Sequence, residues 1–482
     1  MLKKININFI FTFLLFLNPF ITFFNSNVYE IIFYLNDFLF LFSLSLFVFL
    51  FSYLLINKKF FTTIIILYFS LFKYKFIYTI FQKINLLNFI YPITLTVLLF
   101  FFFKYLIKNI KFLKFIIIFL TINLLLLSFD TAIKIVKIDY NKYQSSKTQL
   151  KNIPFTSKKN IYYIIVDEMI SLENFNTIET LDVVEIKKNY AALDAIVLKN
   201  INSTASETIV NYLNILNLDN VNNNNADINH LYFLVKFFFK NPEKSPLLKM
   251  LDDNNYKFFF IGNQWLNCNN LETKTCLPFE RNNKKLFNLY LIKSFLGSTP
   301  LKDFIVLLRD KLHNNTFLLS SEANAFYDND AMNKLINNFP YLDNNKYFFF
   351  AHHLSPHDPW VFNRDCSFRI ANSTINEKFN SEISKKNAIE GYKDAYICTL
   401  KKIEIFLKFV KEKDPNSIIF IMSDTAINPN QANFLIEKFP TLSKSYNEIF
   451  ALVRLPKNCN FKELNNLDNI TLIIKSIECG LN

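Results

Sequence analysis

Glycine is almost missing from this chain of 482 residues: there are 4, and none lies before Gly262. That excludes a Walker A loop and a dinucleotide-binding G-x-G-x-x-G turn, because both need clustered glycines to bring backbone amides onto phosphate. Arginine is scarce too, and none of the 6 cysteines falls in a C-x-x-C pair, the spacing a thiolate zinc cluster wants. Disorder is excluded by an excess rather than a lack: 51% of the residues are hydrophobic and 58 are Phe, more apolar surface than a disordered chain carries. The mean hydropathy of +0.18 is high for a soluble globule and low for a chain made only of membrane spans. A two-part protein is expected.

The formal net charge is +13, but the lysines are spread out and many flank apolar runs. No nucleic-acid face is therefore expected. Residues 1–135 read as a transmembrane domain in contact with membrane lipids. Phe9 to Phe24, Ile31 to Ile56, Phe60 to Phe81, Leu86 to Phe103 and Phe115 to Phe129 are five candidate spans, several close to the ~20 apolar residues a bilayer demands. Lys3 and Lys4, Lys58 and Lys59, and Lys104, Lys108, Lys111 and Lys114 mark the cytoplasmic segments by the positive-inside rule. Lys83 counts against this topology. Residues 136–157 are a linker, and residues 158–482 form a domain facing outward. All the cysteines lie in that domain, as an oxidising compartment favours. The preferred pairings are Cys268 with Cys276, Cys366 with Cys398 and Cys459 with Cys479.

In the outer domain, short apolar runs alternate with helical stretches. Ile161 to Val166, Lys257 to Ile261, Tyr347 to His352, Ile418 to Met422 and Ile449 to Val453 read as buried strands of an α/β sheet. Leu234 to Phe239, Leu301 to Leu312 and Ala388 to Lys411 read as helices, with loops at Asn222 to Asn225 and Ala371 to Lys386. Sites in open α/β sheets form at the carboxyl ends of strands, and three strand ends carry capable residues. The first strand ends in Asp167-Glu168, the third runs from His352-His353 into Pro356-His357-Asp358-Pro359, and the fourth ends in Ser423-Asp424-Thr425. Hydroxyls arrive in Asn202-Ser203-Thr204-Ala205-Ser206-Glu207-Thr208, ahead of an apolar helix. Taken singly, each has a plainer reading. The acids can cap the elements after their strands, Ser203 and Thr204 can be an N-cap pair with Glu207, and His352 and His353 can be core residues.

Taken in order, strand-acid, Ser/Thr turn, H-x-x-x-P-H-x-P and S-D, these patches resemble the alkaline phosphatase/sulfatase superfamily. They are most similar to its membrane-anchored branch of phosphoethanolamine and phosphoglycerol (lipoteichoic acid synthase-like) transferases. The resemblance implies an N-terminal helical transmembrane bundle of about five spans, followed by an α/β domain with a mostly parallel sheet flanked by helices. It implies an inner-membrane protein with this domain on the periplasmic side. Glu168 falls at the family's first metal-binding acid, with Asp167 beside it. Thr204 falls best at the nucleophile, with Ser203 second. Asp424 matches the acid of the S-D-H-G signature, and His357 matches a histidine that contacts the head group or a second metal. Thr425-Ala426 stand where the family has His-Gly, so a zinc or manganese site would be one ligand short unless Thr425, His352 or His353 serves. A typical sulfatase is not expected, because neither Cys398 nor Ser203 has the C/S-x-P-x-R context. The expected activity is transfer or hydrolysis of a phospho- or sulfo-ester head group on an envelope lipid or glycan. The alternative is an impaired member that binds envelope polysaccharide or lipid.

Overall fold

In the computed structural model the described residues are 7–70 (save 34 and 59), most of 97–105, 109–136, 155, 159–262 (save 206 and 221–227), 276–278, 330–339, 346–367 (save 358, 359 and 361), 382–426, 438–439 and 447–481 (save 457, 458 and 460). They fall into two compact units, one within Met1–Asp139 and one within Tyr140–Asn283 and Asn315–Asn482.

The first unit is helical: α1 (Ile7–Ser26), α2 (Val28–Phe33), α3 (Leu35–Leu55), α4 (Phe60–Ser70) and α5 (Ile110–Val136). Three stretches, α1, Phe38–Leu55 of α3, and α5, are long and apolar enough to cross a membrane. The expected third span is described only over α4, and most of the expected fourth lies outside the described residues. α1 is central, its Phe11, Leu15 and Phe16 packing with Phe61, Phe69, Leu113 and Ile116, while α3 and α5 turn Phe47, Leu54, Phe119 and Leu125 outward, as lipid-facing helices do.

Polar rungs tie α1 to α5. Asn18 Nδ2 donates to Asn123 Oδ1 at 3.1 Å, and seven residues on, Asn25 Nδ2 donates to Asp130 Oδ2 at 3.0 Å. Such bonds glue helices where apolar contact gives no preference over lipid. Because both partners advance together, the two helices run parallel. Lys3 and Lys4 precede α1, and Lys111 and Lys114 lie in the first turns of α5.

The second unit is an α/β domain around one seven-stranded sheet: β1 (Ile161–Val166), β2 (Ile196–Val197), β3 (Tyr256–Gly262), β4 (Cys276–Pro278), β5 (Lys346–His353), β6 (Ile418–Met422) and β7 (Ala451–Arg454), in the order β2-β7-β6-β1-β5-β3-β4. The five strands from β6 to β4 are parallel; at one edge β7 runs against them, and β2 pairs antiparallel with β7. β1 and β6 occupy the residues expected from their unbroken apolar runs. β2 and β4, of two and three residues, are too short to show as runs in sequence. The helices are α6 (Leu172–Ile178), α7 (Val183–Ala191), α8 (Thr208–Asn217), α9 (Ile228–Lys240), α10 (Pro246–Asp253), α11 (Ala331–Asn338), α12 (Glu382–Lys413) and α13 (Asn469–Leu481). α12 starts at Glu382, so residues 382–386 are helical where their polarity reads as loop. The expected helix Leu301 to Leu312 and loop Asn222 to Asn225 lie outside the described residues.

Strand alternation sorts the central side chains onto two faces. Tyr163, Phe350 and Phe420 share one face with Tyr212 of α8, whereas Tyr162 and Phe349 face Phe406 of α12. Disulfides join Cys366 to Cys398 and Cys459 to Cys479; Cys268 lies outside the described residues. Gly391 of α12 lets the chain lie against Trp360, where an added Cβ would stand 3.0 Å from Trp360 Cβ and Cε3. Trp360 is itself buried and has little room to retreat. Gly391→Val is expected to lower stability by about 1–3 kcal/mol through overpacking, read as an earlier unfolding midpoint of the detergent-solubilised protein.

Candidate metal centre

The parallel strands β6, β1 and β5 lie side by side, so their carboxyl ends deliver Asp424, Asp167 and His352 to one edge. Residues two apart along a strand share a face. Tyr163–Ile165–Asp167, Phe348–Phe350–His352 and Phe420–Met422–Asp424 therefore end their three strands on the same side. Asp167 Oδ2 is 3.2 Å from His352 Nε2. One ligand atom from each of Asp167, His352 and Asp424 can be chosen so that all lie within 4.8 Å of one another, and all three residues are buried.

Two buried carboxylates this close repel one another, and their acidities diverge. Burial, then the charge of Asp167, pushes Asp424 up to about 7. Burial also opposes ionisation of Asp167, but His357 and His352 beside it outweigh that and hold its carboxyl below the usual range. No hydrogen bond of ordinary geometry reaches the buried Asp167 Oδ1 or Asp424 Oδ2. Two carboxylates and an imidazole with oxygens still to be satisfied suit a divalent cation, by charge and by donor type. The group is thus one that can hold a divalent metal.

The turn after β1 is held from several sides. Glu168 has φ 57°, a left-handed conformation uncommon for a residue with a Cβ. The Tyr392 hydroxyl donates to Glu168 O at 3.0 Å, Met169 N donates to Ser423 Oγ at 2.8 Å, and the Tyr396 hydroxyl donates to Ile170 O at 2.8 Å. This turn sends the two neighbouring acids to different partners. Asp167 joins His352 and Asp424, while Glu168 Oε1 lies 3.6 Å from His357 Nε2. His357 is the most open of these residues, its side chain 34% exposed.

The two histidines ending β5 likewise part company. His352 faces Asp167, while His353 points to the other face, its Nδ1 3.6 Å from Asp330 Oδ1, with Lys402 Nζ 2.8 Å from Asp330 Oδ2. Burial pushes His353 down to about 4, which keeps it neutral. Of the two histidines named as possible ligands, alternation turns His353 to the face of Asp330 and leaves His352 on the side of Asp167. Thr425 gives its backbone N–H to Asp424 Oδ1 at 2.8 Å, and its carbonyl accepts from Ser423 Oγ at 2.6 Å.

The hydroxyls of the loop before α8 have separate partners. Ser203 Oγ donates to the Asp424 backbone carbonyl at 2.6 Å. Thr204 Oγ1 donates to Asn469 Oδ1 at 3.0 Å and accepts from Asn214 Nδ2 at 3.1 Å. Thr208, the first residue of α8, stands near enough to the Asp424 carboxylate to favour its ionised form. Of the three, Thr208 is the one whose side chain bears on a carboxylate of the cluster. Its sequence signal is its position opening an apolar helix, where backbone N–H groups lack intrahelical acceptors.

No protein-family model matches the chain, and no curated protein does. Solved structures similar to it include the C-terminal periplasmic domain of EcEptC from Escherichia coli in complex with zinc, at 12% identity and a TM-score of 0.39, covering 68% of this chain and 86% of that one. The integral membrane protein lipooligosaccharide phosphoethanolamine transferase A from Neisseria meningitidis is similar over 98% of this chain and 95% of its own, at 12% identity and a TM-score of 0.39. The lipoteichoic acid synthase LtaP from Listeria monocytogenes is similar at 12% identity and a TM-score of 0.36, over 65% of this chain and 71% of its own.

Proposed function

We propose that the chain is a membrane-bound, cation-dependent transferase or hydrolase of phosphoester head groups, acting on an envelope lipid or glycan, with Thr208 as its nucleophile. One observation carries the reading: Asp167, His352 and Asp424 converge within 4.8 Å beside a hydroxyl that opens a helix. Thr425 in place of a histidine leaves three protein ligands, the number that catalytic zinc sites use when one position stays open for substrate. That count favours an enzyme over an impaired binding protein.

Asp167, His352 and Asp424 would hold zinc or manganese. Such a cation would lower the pKa of a nearby hydroxyl and neutralise phosphate charge. The chain's own residues supply the rest. Asp424 accepts the Thr208 proton, and the first amides of α8 face the phosphoryl oxygens, favoured there by the helix dipole. Thr208 Oγ1 forms the new bond to phosphorus as the bond to the head group's former oxygen breaks. His357, partly open to solvent and facing Glu168, gives a proton to the departing alkoxide. It then takes one from the acceptor alcohol or water, whose oxygen bonds to phosphorus as the Thr208 Oγ1–phosphorus bond breaks, and Asp424 returns its proton to Thr208.

The test uses full-length protein in vesicles of phosphatidylethanolamine and phosphatidylglycerol. Diacylglycerol release that needs zinc or manganese and stops on chelation is the expected result, with a phospho-adduct on Thr208 by mass spectrometry. Vesicle binding with neither release nor adduct would favour the binding reading instead.

A further inference from the structure

Away from the acids, the loop that carries the hydroxyls is held by the C-terminal segment of the chain. Asn202 N donates to Leu467 O at 3.2 Å, Asn466 N donates to Lys199 O at 3.2 Å, and Asn469 N donates to Asn202 O at 3.2 Å. Lys199 N donates to Asn465 Oδ1 at 2.8 Å. Residues 465–469 thus run alongside residues 199–204 and fix their path. Asn469 then reaches into the interior, fully buried. Its Oδ1 accepts from Thr204 N at 3.3 Å and Thr204 Oγ1 at 3.0 Å, and its Nδ2 donates to Asn211 Oδ1 at 2.7 Å. Asn211 and Asn214 lie on α8, and Asn214 closes the network by donating to Thr204 Oγ1.

A buried amide is costly unless bonded, and the Asn469 amide is bonded at both its oxygen and its nitrogen. Here one side chain grips the loop before α8 and the body of α8 together, so it sets the height and rotation of the helix whose first residue is Thr208. Asn469 is itself anchored. Asp468 Oδ1 accepts from Ile470 N at 3.0 Å and Thr471 N at 2.9 Å, capping α13, and the Cys459–Cys479 disulfide ties α13 back to the chain before it.

We propose that Asn469 is a positioning residue that, through Thr204, Asn211 and Asn214, holds the Thr208 hydroxyl in register with the Asp167–His352–Asp424 group. This rests on the reading of Thr208 as nucleophile. None of the three acidic or imidazole groups touches Asn469, so the proposal separates aim from cation affinity.

The test is Asn469→Ala in the full-length protein, assayed on the same vesicles, with manganese affinity and hydrogen exchange measured in parallel. Expected are a kcat lower by about a hundredfold, the scale on which a small misplacement acts, with KM and manganese affinity within about twofold of wild type. Exchange should quicken by at least about tenfold in peptides covering 202–211, and not in β1 or β6. Asn469→Asp keeps the acceptor for Thr204 and loses the donor to Asn211, so its kcat should fall between; it also serves if the alanine variant does not fold. An unchanged kcat, or a loss of manganese affinity in step with kcat, would overturn the proposal. Should wild type show no turnover, the reading of the site as an enzyme fails. The exchange arm still decides the brace: quickening confined to 202–211 supports it, and unchanged exchange refutes it.

Discussion

Asp424→Asn is expected to abolish turnover and cation binding while making the cation-free protein more stable above pH 7. The carboxyl titrates near 3.8 in an unfolded chain and at about 7 in its buried place beside Asp167. Between those values the folded state keeps a proton that the unfolded state has lost, so stability falls as pH rises through the window. Above pH 7 the folded state bears the full cost of ionising Asp424 beside Asp167, on the order of 4 kcal/mol. Asparagine removes that cost. His353 does not blur the measurement, because its folded value of about 4 leaves it neutral in both states above pH 7. Its own contribution is present above about 6.5 and is lost as pH falls toward 4. Denaturant unfolding of the chelated protein at pH 8 reads the gain, and turnover on vesicles should drop by at least about a thousandfold. A variant that is less stable at pH 8, or one that still turns over, would remove Asp424 from the role given to it.

Thr208→Ala has the larger consequence for catalysis alone. If its oxygen forms the bond to phosphorus, turnover should fall by about 10⁴-fold or more, as it does when a covalent nucleophile is deleted. Manganese affinity should stay near that of wild type, because Asp167, His352 and Asp424 remain. Thr204→Ala and Ser203→Ala act differently. Thr204 is bonded to Asn469 and Asn214, and Ser203 to the Asp424 backbone, so each should lower kcat only through a loosened loop. A Thr208→Ala protein with wild-type turnover would return the nucleophile to one of those two.

Much of the fold was open to reading because burial leaves a plain trace. The short unbroken runs Ile161–Val166 and Ile418–Met422, rich in β-branched residues, read as strands buried on both faces, and they are β1 and β6 to the residue. The lysines at the starts of α1 and α5 gave a direction that the parallel asparagine rungs support. The site was harder. A motif likeness placed the first acid at Glu168 with Asp167 as the neighbouring possibility, and the sheet's period of two puts Asp167 on the side of Asp424. That parity can be counted from Tyr163, Phe350 and Phe420 once the shared aromatic face is known, and the sequence does not say which face is shared. The same parity separates His352 from His353. Thr208 and Asn469 were hidden for another reason. Their partners, Asp424 and Thr204, are more than 200 residues away along the chain, and no local pattern encodes such a bond.

The central claim is a divalent cation held by Asp167, His352 and Asp424. Anomalous scattering from crystals of the full-length protein grown with manganese measures it directly. A single peak within coordination distance, ~2.2 Å, of a carboxylate oxygen from each aspartate and a nitrogen of His352 is the predicted result. No peak there, or one bound by Glu168 and His357 without the two aspartates, would contradict it.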